Sequence, residues 1–425
     1  MHVGKRLKEL RNSKNMTQAT VSHDITSTPH YSNIEGGHFA TSQEILVLLA
    51  KRLSVPSGYL TNGYVIDKKM TVLLAQYEDI LNADRLEDAL SLREKHEKCL
   101  THIQSLHQEL YFRLLRCLEF FKAEDFGSFK QYYMNKIAPS VDQDALHNLN
   151  TRIREKYNYI SGLYYYITSN YQGCIPFFIH VLKTNEDTLL QARLNFNVAL
   201  AYFRLYRYAE ALVFAEKSKS LHLNSHNWEK TAECYNLMAI LHRTTKDYEA
   251  AEMYIQKGFN ILEHDVTKRT YLILLHNLTL IHRDKGDYHQ ALVVIDNCIV
   301  LKKEHNLGNL FMSYWVRLEL LLELKAYDEV QSNIELTRSA CHSEEDKINL
   351  QVTEGKVYYL QGRYADYEKL TQLSIDYYFK HEHWKYLQEL AKEFAEYYAQ
   401  KKQYKKAYEL HKLCLHATKS IYGEL

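Results

Sequence analysis

Tyr208-Ala209-Glu210-Ala211, Tyr248-Glu249-Ala250-Ala251 and Tyr288-His289-Gln290-Ala291 repeat one pattern at steps of 40 residues. The pattern continues as Tyr327-Asp328-Glu329-Val330, Tyr364-Ala365-Asp366-Tyr367 and Tyr404-Lys405-Lys406-Ala407, at steps of 39, 37 and 40. Weaker members precede it: Leu86-Glu87-Asp88-Ala89, Phe126-Gly127-Ser128-Phe129 and Tyr171-Gln172-Gly173-Cys174. One amphipathic helical pattern lies before each aromatic and another follows it. The small residues Ala211, Ala251 and Ala291 let the two helices of each pair approach closely. The chain therefore divides into nine helical hairpins, over 70–100, 105–139, 150–183, 190–222, 230–263, 269–302, 309–341, 347–380 and 384–418. A hairpin of this size buries its apolar faces only against its neighbours, so the nine must stack.

This array resembles the tetratricopeptide repeat, with a somewhat extended period. The resemblance implies an all-α fold in which residues 70–425 form a right-handed superhelix. The first helix of each hairpin would line its inner wall, a groove suited to peptides. Composition agrees with a helical chain. Among 425 residues there are only 4 Pro and 14 Gly, so breakers and turns needing positive φ are expected to be few. The 35 Tyr suit packed helix interfaces, having an apolar body and a polar tip. The formal net charge is +1, which excludes a polyelectrolyte. Seven Cys, an odd number with no Cys-x-x-Cys pair, read as reduced core thiols inside helices. No apolar run approaches the length of a membrane span, and the N-terminus is charged rather than signal-like. A cytoplasmic location with no membrane partner is the expectation.

Residues 1–62 differ from the array. They hold seven Lys or Arg against four acidic residues, a net +3, which suits a small DNA-binding head. Val3, Leu7 and Leu10 make a first helix, with Lys5, Arg6, Lys8 and Arg11 on its other faces. Thr17 caps a second helix. Ile25 to Pro29 form a turn, and Pro29 opens a third helix that stops at Gly36-Gly37. Ser42 caps a fourth, with apolar Ile45, Leu48, Leu49 and Leu53, and Pro56 opens a short fifth. Residues 63–69 read as a linker. The strings Met16-Thr17-Gln18, Tyr31-Ser32-Asn33-Ile34-Glu35-Gly36-Gly37 and Leu48-to-Pro56 resemble the phage-repressor (Xre/Cro) class of helix-turn-helix domains. One departure is the turn, where the class has Gly and this chain has Ile25. The resemblance implies that Ser27, Thr28, His30, Tyr31 and Asn33 face the major groove and that Gln18 meets a phosphate. Tyr31 has a second reading as a core residue. One such head covers too little double-stranded DNA for tight binding, so a homodimer on a two-fold site is expected.

The inner wall of the array carries a polar stripe. Asn197 and Asn277 lie eleven residues before their marker aromatics, and Asn236 lies one place earlier in the repeat between them. Seven residues further along, on the same helical faces, come Arg204, Arg243 and Asp284. An Asn side chain has two donors and an acceptor, which match a peptide backbone, and an Arg matches a carboxylate such as a peptide C-terminus. These six residues, with Arg116 on an early repeat beside Arg113, are the candidate peptide contacts. Loop capping and bonding between neighbouring helices are the structural alternatives.

No phosphate loop, metalloprotease motif, paired-Cys zinc pattern or nucleophile elbow occurs. His381 and His383 are two apart and do not share a helical face, so neither metal, cofactor nor enzymatic activity is expected. The head and array together resemble the peptide-pheromone receptors of Gram-positive bacteria, the Rap–Rgg–NprR–PlcR–PrgX family, and its NprR branch most. This implies a quorum-sensing transcription regulator. A short signalling peptide would alter its dimer, or a tetramer, and hence DNA binding. The alternative within the family is a Rap-like protein that sequesters a response regulator of the sporulation phosphorelay.

Overall fold

The computed structural model describes residues 2–141, 146, 149–263 and 265–422. Among the described residues every regular element is helical. The chain forms two compact units, residues 1–201 and 202–425, with the division falling inside the helix Thr188–Arg204.

Unit one begins with five helices: α1 (Val3–Ser13), α2 (Gln18–Ser22), α3 (Thr28–Gly36), α4 (Gln43–Arg52) and α5 (Ser57–Thr61). The starts of α2, α3 and α4 are set by side-chain caps. Thr17 accepts from the Thr20 N–H at 3.1 Å, Ser27 from His30 at 3.3 Å and Ser42 from Ile45 at 3.4 Å, each satisfying an orphan donor of its helix. The third helix starts at Thr28, one residue before Pro29, and closes on Gly37 at φ 77°. The left-handed residue of the turn is Asp24 at φ 58°, not Ile25. A short polar side chain tolerates that conformation and a β-branched one does not.

The core of these helices is Leu7, Val21, Tyr31, Ile34, Leu46, Leu49, Ala50, Leu53, Tyr59 and Leu60. Two expectations are corrected here. Leu48 is 47% exposed, because α4 turns Leu46, Leu49, Ala50 and Leu53 inward instead. Arg6, expected on an outer face, is 2% exposed. Its guanidinium donates to Glu109 from Nε at 2.9 Å, to the carbonyls of Gln104 at 2.9 Å and Ile103 at 3.1 Å, and to that of Tyr59. Glu109 also takes the Tyr59 hydroxyl at 2.7 Å and Arg113 at 2.8 Å, and Arg113 reaches Glu9 at 2.9 Å. The first five helices are thus docked on the first hairpins through desolvated charge. Residues 63–67 run along the same seam. The Gly63 carbonyl accepts from the Leu106 N–H at 2.8 Å, and the Asp67 carbonyl accepts from the Gln108 amide at 2.7 Å.

The marker residues turn out to mark one structural event. Leu86, Phe126, Tyr171, Tyr208, Tyr248, Tyr288, Tyr327, Tyr364 and Tyr404 are each the first residue of a helix. Three residues on, the partner position is buried in every repeat, from Ala89 at 0% to Tyr367 at 8% exposed. Two residues before each marker the backbone is left-handed: Asp84, Glu124, Ser169, Tyr206, Lys246, Gly286, Lys325, Gly362 and Lys402. Turns with positive φ are therefore frequent, contrary to expectation. The hairpin turn needs one αL residue to end the first helix, and only two of the nine use Gly. Six Cys are buried or half-buried and Cys99 is exposed; Cys341 lies just past the helix Tyr327–Ser339 rather than inside one. Burial pushes the thiols of Cys117, Cys174 and Cys234 up to about 12, so they are protonated packing groups.

Unit one contains other buried carboxylates besides Glu109. Glu78, in the helix Lys68–Asn82, pairs with Lys156 at 2.6 Å and accepts from Tyr111 and Arg152. Burial opposes its ionisation, but these partners win and hold its pKa at about 2. A carboxylate depressed in the folded state contributes stability above its unfolded pKa and loses it as pH falls through the folded value. Unit one should lose about 3 kcal/mol between pH about 4.5 and about 2 from this group alone. Urea titrations at stepped pH check this, and in Glu78→Gln that acid-dependent increment should disappear.

Candidate functional site

The first candidate surface is the outer face of α3. Ser27, Thr28 and Ser32 are exposed, while His30 and Asn33 are half-buried. Tyr31 is fully buried and belongs to the core, so it is removed from the set proposed to face DNA. Ser32 lies four residues after Thr28 and shares its exposed face. That spacing was available in the sequence. Ser27 is engaged as the α3 cap and Thr28 shares a 3.2 Å hydroxyl contact with Ser22. The Gln18 amide donates to Glu35 at 2.8 Å. Glu35 is buried and bidentate with Arg11, at 2.7 and 3.1 Å. Burial opposes its ionisation, yet the Arg11 and Gln18 bonds keep its pKa below the ordinary value. Arg52 holds the α2–α3 turn by donating to the carbonyls of Thr20 at 2.8 Å and His23 at 2.9 Å. The α3 face is thus presented on a rigid support.

The second surface lies in unit two, on the adjacent first helices Trp228–Thr244 and Arg269–Lys285. Asn277 donates from Nδ2 to Asn236 Oδ1 at 2.7 Å. Two helical turns further on, Arg243 Nε lies 3.4 Å from Asp284 Oδ2. The two pairs form rungs of one ladder. The Asn pair keeps two Asn236 N–H donors and the Asn277 carbonyl available for a third group. Arg243 Nη1 is buried without a hydrogen-bond partner among the described residues. Burial lowers the pKa of Arg243 against the attraction of Asp284, which makes its remaining donor an anion-seeking group. Asp284 is shared with Arg283 at 3.0 Å, and Arg283 reaches Glu319 at 3.4 Å. Sequence spacing did not identify Arg283 or Glu319. Their role depends on how neighbouring hairpins align.

The remaining candidates are placed separately. Arg204 is exposed in unit two, and Asn197 is half-buried in unit one. Arg116, also in unit one, is tied to Glu119 at 2.5 Å and lies 4.8 Å from the Phe120 ring centre. Arg113 is buried in the docking seam and is not a groove residue. No cluster of His, Cys, Asp or Glu able to hold a metal occurs among the described residues. No helix among them is long and apolar enough to cross a membrane.

Residues 7–60 match the helix-turn-helix model and residues 190–264 the tetratricopeptide repeat model. The molecule is therefore of the class that joins a helix-turn-helix segment to tetratricopeptide repeats. The chain is 21% identical to the transcriptional activator NprA of Geobacillus stearothermophilus, over 93% of this chain and 98% of that protein. It shares its fold with NprR in complex with its cognate peptide NprX, at TM-score 0.58 and 15% identity, covering 83% of this chain and 99% of that one. It likewise shares the fold of a Rap protein complexed with Competence and Sporulation Factor, at TM-score 0.63 and 16% identity, covering 84% and 99%. These findings are consistent with the Rap–NprR family of receptors that the sequence resembles, and they support a regulator of that family.

Proposed function

We propose that the chain is a cytoplasmic quorum-sensing transcription regulator whose array binds a short signalling peptide and thereby controls how two heads are paired on DNA. The observation that carries this reading is the ladder in unit two. Asn236, Asn277 and Arg243 present unspent hydrogen-bonding capacity along one helical face, as an extended peptide backbone and its terminal carboxylate require. The complex of NprR with a cognate peptide supports the same use of the fold. In this reading residues 1–62 are the DNA-binding domain and residues 70–425 the sensing and oligomerisation domain. Asn197, Arg204 and Arg116 are the outlying contacts.

The head reads one half-site through Ser27, Thr28, His30, Ser32 and Asn33, and Gln18 meets a phosphate on releasing the bond its amide donates to Glu35. Affinity then depends on a second copy. Peptide shifts the dimer or tetramer only by as much as it prefers one arrangement over the other. The Rap likeness supports a second reading, in which the array instead sequesters a phosphorelay response regulator.

Two measurements test these readings. Selection from a random DNA duplex pool should enrich a two-fold site for the full chain. Asn33→Ala should lose that enrichment at one base position by about 1–3 kcal/mol. Failure of the wild-type chain to enrich any sequence, with response-regulator binding intact after deletion of residues 1–62, would leave the second reading standing. For the groove, capture from a synthetic random heptapeptide library should fall roughly 5–150-fold in Asn277→Ala, since Asn236 loses its partner as well. Unchanged capture in that variant rejects the groove assignment.

A further inference from the structure

From Asn15 to Ala50 the chain contains no Lys and no Arg. That stretch holds α2, α3 and the segments that join them to each other and to α4. Its acidic residues are Asp24, Glu35 and Glu44, so with neutral histidines it carries −3. The head's cations lie outside it, on α1 or at its end and in the last turn of α4. Several of them are already engaged. Arg6 is buried against Glu109, Arg11 is bidentate with Glu35, and Arg52 donates to the carbonyls of Thr20 and His23. A surface that reads DNA lies against phosphates, and neutralising them supplies a large share of the binding free energy.

The only side chains of the stretch able to take a positive charge are His23, His30 and His38. His23 is paired with Asp24 at 2.8 Å, so its charge is already answered. His30 is half-buried in the first turn of α3, and His38 is exposed just past the last. A Cβ on Gly36 would come within 2.7 Å of the His38 ring, so that ring lies back against the end of α3. The Phe39 ring is 6.3 Å from that of His30, which brings the loop after α3 alongside the start of the same helix. Both imidazoles therefore border the face assigned to DNA. Neither is in an ion pair among the described residues. The titratable and charged groups around them are the His23–Asp24 pair in the α2–α3 turn, the Arg11–Glu35 pair between α1 and α3, Arg52 and the exposed Glu44 of α4, and His2. The His2 ring stands 2.5 Å from where Gly37 would carry a Cβ. Asp24 and Glu35 are thus occupied by other partners. Imidazole changes charge between about pH 5 and 8, and a phosphate beside it favours the charged form.

We infer that His30 and His38 meet DNA as imidazolium cations, so that DNA binding by the head takes up protons and strengthens as pH falls. The inference rests on the DNA reading of residues 1–62 above. Protons taken up on binding favour the complex at low pH and weaken it as pH rises.

The test follows the fluorescence anisotropy of two labelled probes titrated with the full chain at fixed ionic strength. The probes are the random DNA duplex pool and the pool enriched from it by the wild-type chain. Binding should be about tenfold or more tighter at about pH 6 than at about pH 8. The fall of log affinity with log salt should also steepen at the lower pH, by roughly 0.9 for each imidazolium set on a phosphate. In His30→Gln/His38→Gln both gains should vanish, because Gln keeps hydrogen-bonding groups but takes no charge. The Ser27 cap survives that change, since it bonds the backbone N–H of residue 30. His23→Gln should keep both gains. Equal affinity at both pH values for the wild-type chain overturns the imidazolium assignment and leaves the DNA reading intact. Persistence of the pH gain in the double variant, or its loss in His23→Gln, overturns the assignment as well. No binding of either probe at either pH overturns the DNA reading, and the inference with it.

Discussion

Gly4→Ala should abolish operator binding and destabilise the head by about 3 kcal/mol. In α1 this glycine meets α3 backbone to backbone. An added Cβ would lie 1.9 Å from the Ile34 carbonyl oxygen and 2.8 Å from that of Glu35. Neither neighbour is the end of a flexible side chain, so relief requires α3 to move off α1. The outer face of α3 would move with it, which couples the stability loss to DNA recognition. Amide hydrogen exchange should show faster exchange in residues 3–36 while the hairpins of unit one stay protected. Gly127→Ala is the control, since its Cβ would meet only Asp125 Oδ1, at 3.7 Å. It should be neutral or slightly stabilising, as Ala is the better helix former. Normal operator binding by Gly4→Ala would show that the α1–α3 contact does not position α3.

Arg6→Ala should cost about 3–5 kcal/mol, measured as the denaturant midpoint of unit one. The loss does not come from Coulomb attraction alone. Removing the guanidinium strips the carbonyls of Ile103, Gln104 and Tyr59 of a donor, and it leaves Glu109, 6% exposed, with one fewer cation. Glu109→Gln should be comparably damaging, because buried Arg6 then loses its carboxylate partner and Arg113 keeps that of Glu9 at 2.9 Å. The double variant should cost much less than the sum, which a double-mutant cycle reports directly. Simple additivity would show the docking seam to be no network. The seam also has a pH signature. Burial works against ionised Glu109, but Arg113, Arg6 and Tyr59 lower its pKa. Its contribution is therefore complete at neutral pH and is lost as pH falls below the ordinary carboxylate range. Limited proteolysis at residues 63–67 should rise in acid for the wild-type chain. In Glu109→Gln it should already be high at neutral pH and change less.

Much of the architecture can be read along the chain because it is local. An aromatic or apolar residue at the first helical position and a small or apolar residue three places later are neighbours in sequence. Their recurrence near 40 residues therefore predicts each hairpin. The caps Thr17 and Ser42 act within one helical turn and are equally visible, whereas Ser27, read as facing DNA, is found to cap α3. The candidate sites were only partly legible. Asn236, Asn277, Arg243 and Asp284 could be assigned to one face by counting residues. Whether they touched each other or a ligand depended on the stagger between hairpins.

The sequence by itself determined the helices, their hairpin pairing and the head's helix-turn-helix order, since helix periodicity and capping operate over a few residues. Only the tertiary structure decided which charges are spent. Arg6 counts as surface charge until Glu109, 103 residues away, desolvates it. Tyr31 could face DNA or core until the head's helices gather it into their shared core. Arg283 and Glu319 join the ladder only once neighbouring hairpins stack. Partners so distant in the chain leave no periodic trace, because their pairing energy arises only when packing removes water from between them.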